Sequence, residues 1–139
     1  MANEFARNLK DAGFTGTFTL PASASASTNL ATPFDLGADT FKNESVEVEL
    51  SIPALNATMV PDTRTTTYII ETCAATNFST IDQTLYSTVF TASGGTGIAA
   101  KTIRVRLPSN CARYIRAKVT HGASTTDSSS ITATFSLLF

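Results

Sequence analysis

Residues 45–52 read SVEVELSI, and residues 103–107 read IRVRL. In the first, Val46, Val48, Leu50 and Ile52 alternate with Glu47, Glu49 and Ser51; in the second, Ile103, Val105 and Leu107 alternate with Arg104 and Arg106. A period of two sends one set of side chains into a core and the other to the opposite face, the mark of a strand that is wet on one side. The same alternation recurs near each end of the chain. Phe14, Gly16, Phe18 and Leu20 interleave with threonines, and Ile131, Ala133, Phe135, Leu137 and Phe139 interleave with Thr132, Thr134, Ser136 and Leu138. Residues 29–36, 65–73, 85–92 and 112–120 are less regular strand candidates, which brings the expected number to eight. Clusters of Pro, Gly, Asn, Asp and Ser separate them, each with a local reason to turn the chain. Residues 2–12 suit a short helix or an arm, and residues 76–84 a single helical turn. The division that follows is an arm over 1–13 and one domain over 14–139.

Eight short antiparallel strands predict an all-β sandwich, and the eight-stranded choice is a jelly roll. With strands numbered in chain order, a jelly roll builds one sheet as 1-8-3-6 and the other as 2-7-4-5. Two consequences can be checked. Glu47 and Glu49 on strand 3 should face Arg104 and Arg106 on strand 6, opposite charges worth roughly 0.2–1 kcal/mol per pair on a sheet. Cys73, ending strand 4, and Cys111, beginning strand 7, should lie at ends that meet. They are a candidate disulfide if their Cβ atoms come within roughly 4.5 Å, although a reducing cytoplasm would keep the thiols free until lysis.

The bulk composition narrows the function classes. The 139 residues carry a formal net charge of -1 and only 15% charged side chains, against roughly a quarter in ordinary domains. Ser and Thr make up roughly a quarter of the chain, which suits strands and close packing against other proteins. No basic excess points to nucleic acid. No apolar run approaches the roughly 18 residues of a membrane span, and MANEFARNLKDAGF has no apolar core of a secretory signal.

Candidate chemistry is sparse. SGGTGIAAKT (residues 93–102) resembles a phosphate loop only in outline. Ala100 stands where the second glycine is required, and a strand period follows where a helix should open. His121, the single histidine, lies at a strand end and is expected to be exposed. A zinc site on His121, Cys73 and Cys111 would need a carboxylate as fourth ligand, and no ligand spacing supports it. Glu47 and Glu49 share an open face rather than a pocket, which speaks against glycoside hydrolysis. The expectation is therefore a protein that is not an enzyme and takes no cofactor or metal. The dense basic stretch NCARYIRAKVTH (residues 110–121) reads as strand 7, with Tyr114, Arg116 and Lys118 outward and Ile115, Ala117 and Val119 inward. Arg104 and Arg106 fall on the other sheet. These five residues are the candidates for a protein interface.

Three stretches, TNLATPFDLG (28–37), YIIETCAATNFSTID (68–82) and LPSNCARYIRAKVT (107–120), carry a resemblance over roughly residues 14 to 139. The chain resembles the small jelly-roll cement, or decoration, proteins of tailed-bacteriophage capsids. The resemblance implies a structural virion protein, made in the host cytoplasm and placed on the capsid exterior. There it would clamp neighbouring subunits of the major capsid protein, often as a homotrimer. The N-terminal arm, with Phe5 and Arg7, would then reach to the shell or a sister subunit. No direct contact with nucleic acid or membrane is implied. The alternative from another class is a carbohydrate- or receptor-binding jelly-roll module of a phage head or tail fibre; the lack of any Trp counts against it.

Overall fold

The computed structural model describes residues 10–37 and 46–138. Nine strands run through them: β1 (Lys10–Thr19), β2 (Ser27–Asn29), β3 (Phe34–Asp35), β4 (Glu47–Ile52), β5 (Thr65–Cys73), β6 (Gln83–Thr91), β7 (Lys101–Arg106), β8 (Tyr114–His121) and β9 (Thr132–Leu138). Among the described residues there is no helix. The strands form two antiparallel sheets. Sheet one has the order β1-β9-β4-β7; sheet two has the order β2-β8-β5-β6, with β3 also on β8. Counting β2 and β3 as one interrupted strand gives the two orders expected above.

The interruption is a correction to the eight-strand expectation, and it has a local cause. Pro33 has no amide hydrogen and cannot donate to β8. The chain bends at Ala31 and Thr32 and regains pairing only at Phe34. The segment still hangs on β8 through Leu30 N–H to Ala117 O at 3.0 Å and Leu36 N–H to Arg113 O at 2.7 Å. β1 starts at Lys10, ahead of the boundary drawn at residue 13, and its register against β9 shifts between Lys10 and Thr15. The proposed arm residues Phe5 and Arg7 lie outside the described residues. The helical turn expected over 76–84 is absent: residues 74–82 form turns and bends. Local side-chain bonds hold them instead, Asp82 accepting from Ala74 N–H at 2.6 Å and Asn77 from Ser79 N–H at 3.1 Å. Such short polar links offer the backbone an alternative to helical bonding.

The core lies between the sheets. Phe18, Leu50, Ile103, Phe135 and Leu137 come from sheet one; Tyr68, Ile70, Ile115, Ala117 and Val119 from sheet two. Phe34 stacks on Phe135, with ring centroids 5.3 Å apart, and ties the sheets together at the open flank beside β1. The alternation departs from its simplest form on β5, where outward Glu71 and Cys73 are buried, and again on sheet one. Glu49, Ser136 and Leu138 have outward parity, yet all three are buried.

Candidate protein-interaction faces

The outward charges of sheet one are paired as the strand order requires. Glu47 stands opposite Arg106 and Glu49 opposite Arg104. Arg104 Nε donates to Glu49 Oε2 at 2.8 Å, while Arg106 and Glu47 approach more loosely at 3.9 Å. Glu49 is buried and Arg104 half-exposed, so the arginine covers the acid. Arg104 and Arg106 lie on sheet one, while Tyr114, Arg116 and Lys118 lie on sheet two. The five candidates therefore form two groups on opposite faces, and no single basic patch is assembled.

On sheet two the three β8 candidates differ in kind. Arg116 is opposite Glu71. Its Nε and Nη2 reach Glu71 Oε1 at 2.7 and 2.6 Å. Its guanidinium also lies over the Phe78 ring, 4.1 Å from the centroid. Arg116 is only 15% exposed and Glu71 only 6%, so this cation is a structural part of its own face. Tyr114 is half-buried, with the Arg113 guanidinium 5.1 Å above its ring. Lys118 makes no ion pair among the described residues; its cross-strand neighbours are Ile69 and Asn29. Of the five, Lys118 and Arg106 remain available to an acidic partner.

An ion pair that the sequence did not reveal joins two of the stretches on which the resemblance rests. Arg113 clasps Asp35 with two parallel bonds of 2.8 Å. The guanidinium, helped by the Gly37 amide, lowers the Asp35 carboxyl to about 2. The signal was present: strand 2 beside strand 7 puts Asp35 across from Tyr114, next to Arg113. The third stretch joins the same region through Glu71 and Phe78, both on Arg116.

His121 is a correction. The expected exposed strand-end residue is 1% exposed, because β8 extends through it and its parity matches Ile115, Ala117 and Val119. Its Nδ1 lies 3.1 Å from Thr66 Oγ1 and its Nε2 3.0 Å from Ser128 Oγ. A serine hydroxyl beside an imidazole is the pairing that activates a nucleophile. Here Ser128, His121 and Thr66 are all buried, so no substrate reaches the hydroxyl. The trio instead pins the loop before β9 to β5 and β8. Burial holds the His121 pKa below its ordinary 6.5. The unfolded chain therefore takes up the proton first, and stability is lost as pH falls through 6.5 towards the folded value. Urea unfolding should show a lower midpoint at pH 5.5 than at 7.5. In His121→Gln this difference should shrink; an unchanged difference would exclude His121 as its source. The Asp35 contribution belongs to a lower window, lost as pH falls from the ordinary 3.8 through about 2.

The cysteines are free thiols, which corrects the candidate disulfide. The strand ends do meet, but Cys73 is opposite Tyr114 rather than Cys111. Cys73 has the outward parity of Glu71, and its Sγ is held under the following loop by Thr80 O at 2.9 Å and Ala75 N–H at 3.3 Å. Cys111 packs against the inner core. The two sulfurs thus belong to opposite sides of sheet two.

The glycine-rich segment is a connection between strands. Gly94, Gly95 and Gly97 take left-handed backbone conformations, and the Gly95 amide donates to both Asp62 carboxylate oxygens at 2.9 and 3.1 Å. An amide already facing a carboxylate is a poor phosphate donor. A cleft of about 380 Å³ opens between β1 and β3, lined by Phe14, Leu30, Pro33 and Phe34 among others. Among the described residues lining it the one carboxylate, Asp35, is committed to Arg113. Among the described residues no three His, Cys, Asp or Glu side chains group as a metal site, and no helix is long and apolar enough to cross a membrane.

Fold and faces together define an antiparallel β-sandwich whose notable surfaces are open sheet faces. No protein-family model matches the chain. No curated protein matches it significantly.

Proposed function

We propose that this chain is a structural virion protein of jelly-roll type, which binds the outside of a tailed-phage capsid and clamps neighbouring major capsid subunits. The observation that carries this reading is the outer face of sheet two. Across its strands run Ser27, Thr120, Thr67 and Val89 in one row and Asn29, Lys118, Ile69 and Ser87 in the next. Eight side chains include a single charge. Low charge, with apolar Val89 and Ile69 left on the outward side, suits the core of an interface. Arg116, the next outward cation on β8, is neutralised on the same face by its cross-strand partner Glu71. The resemblance of residues 28–37, 68–82 and 107–120 supplies the partner, and the strand orders agree with the fold it implies. In this reading the protein is not an enzyme, and its work is mechanical: a rigid plate holds adjacent subunits in register.

Co-sedimentation with purified capsids of the phage encoding the chain tests the proposal. The protein should pellet with shells that lack it and raise their disruption temperature. Lys118→Glu together with Ile69→Asp should abolish pelleting while the circular dichroism spectrum stays unchanged. Failure of the unmodified protein to bind such shells would overturn the proposal.

A further inference from the structure

A sheet that ends in an unprotected edge can be extended by another chain, and folded proteins blunt their edges with charge, proline, bulges or shortness. Among the described residues the sandwich has four edges, and all but the Tyr86–Thr91 run of β6 are short, charged or shifted in register. β7 presents Lys101, Arg104 and Arg106 within six residues. β1 changes register between Lys10 and Thr15. β2 is three residues long and followed by Pro33.

β6 is different. Its nine residues, QTLYSTVFT, contain no charge, proline or glycine. One irregularity lies between the Ile70–Tyr86 and Glu71–Thr84 pairs; from Tyr86 to Thr91 the strand pairs residue for residue with β5. Among the described residues β6 pairs on that side only. Both faces of the strand are incompletely covered. Tyr86 and Phe90 are half-buried at the flank of the core, and outward Val89 is 58% exposed, the more open of the two exposed large hydrophobics.

We infer that β6 is a pairing edge whose occupant is β6 of a second copy of this chain, antiparallel across a two-fold axis. The two copies of sheet two would then run on as one continuous sheet. Charge selects this occupant. A neutral strand meets itself without opposing like charges, whereas β7 against β7 would set Lys and Arg against Lys and Arg. A two-fold contact is also self-complementary by construction, so one uncharged edge serves both sides. Pairing would cover Val89, Tyr86 and Phe90 and satisfy the free backbone groups of β6, the strand-addition mode of recognition. The strand edge thus favours pairs over the trimer implied by the resemblance. The inference stands apart from the capsid reading, since it concerns only this chain in solution.

Sedimentation equilibrium of the full chain is the test. The mass should be twice the 14.7 kDa of one chain. Ser87→Lys with Val89→Lys should return it to one chain while the far-ultraviolet circular dichroism is kept. Thr102→Lys, on the β7 edge, should leave the pair intact. Hydrogen exchange gives a second reading: amides within residues 86–91 should exchange at least tenfold faster in the double-lysine variant, and those of β7 should not change. A single-chain or three-chain mass for the unmodified protein, or a pair that survives both lysines, would overturn the inference.

Discussion

Arg116→Ala is expected to lower stability by about 3 kcal/mol, because it strands a buried carboxylate. Glu71 is 6% exposed and takes both of its strong bonds from Arg116. Removing the guanidinium deletes those bonds, uncovers the Phe78 ring beneath it, and leaves an anion with little water to replace its partner. The melting temperature should fall by roughly 10 °C for a domain of this size. The companion experiment separates the worth of the pair from the harm of breaking it. Arg116→Met combined with Glu71→Leu replaces the two ions by apolar groups, and most of the lost stability should return, since a buried pair seldom outweighs well-packed hydrocarbon. Urea unfolding of the two single variants and the double variant closes the cycle. An Arg116→Ala midpoint equal to that of the unmodified protein would instead make Arg116 a free surface cation, returning it to the interface candidates.

Gly97→Ala should be at least as damaging, at about 3–4 kcal/mol. Gly97 has φ 75°, and a Cβ placed on it would lie 2.0 Å from Leu55 O and 2.5 Å from the Asn56 carbonyl carbon. Neither atom belongs to a flexible side chain. The neighbouring bridge fixes the approach: Leu55 and Ile98 exchange two backbone bonds of 2.8 Å. To admit a methyl group the bridge must open, releasing buried Leu55 and Ile98 from the core. Gly94→Ala provides the control. Its φ is 68°, but nothing lies within 4 Å of the added carbon, so it should cost only the conformational penalty of roughly 1 kcal/mol. Chemical denaturation of both variants should show the large loss at 97 alone. Equal losses would mean that the close approach at Leu55 is not enforced.

These two sites show where the sequence was informative and where it was not. Alternation identified β4, β7 and β9 as strands with the right face inward, because one residue in two is apolar, and the jelly-roll order placed them in one sheet. The facing of Glu47 and Glu49 with Arg106 and Arg104 followed from strand order alone. Alternation is silent about what covers an outer face. Arg116 therefore looked free, although its guanidinium packs on Phe78 of the loop after β5. It is also weak at strand ends. His121, at a strand end, was expected to be exposed, yet its parity with Val119 already pointed inward. The cysteines failed for a third reason. Meeting strand ends do not imply facing side chains, and the parity that turns Cys73 outward, with Cys111 against the core, outweighs proximity along the ladder. Strand periodicity is equally silent about the Arg113–Asp35 pair, since Arg113 lies just ahead of β8.

Sheet one places Thr15 of β1 against Ser136 of β9, and β9 in turn separates β1 from β4. The first described strand thus has no neighbour in its own sheet until the last has been synthesised. While the ribosome is still making the middle of the chain, β1 must wait with Phe14 and Phe18 uncovered. Closing so long a span is entropically slow, and folds dominated by such distant pairings form in milliseconds to seconds. Assembly of sheet one therefore waits for β9. Any truncation that removes β9 would leave two strands, β1 and β4, without the one that joins them.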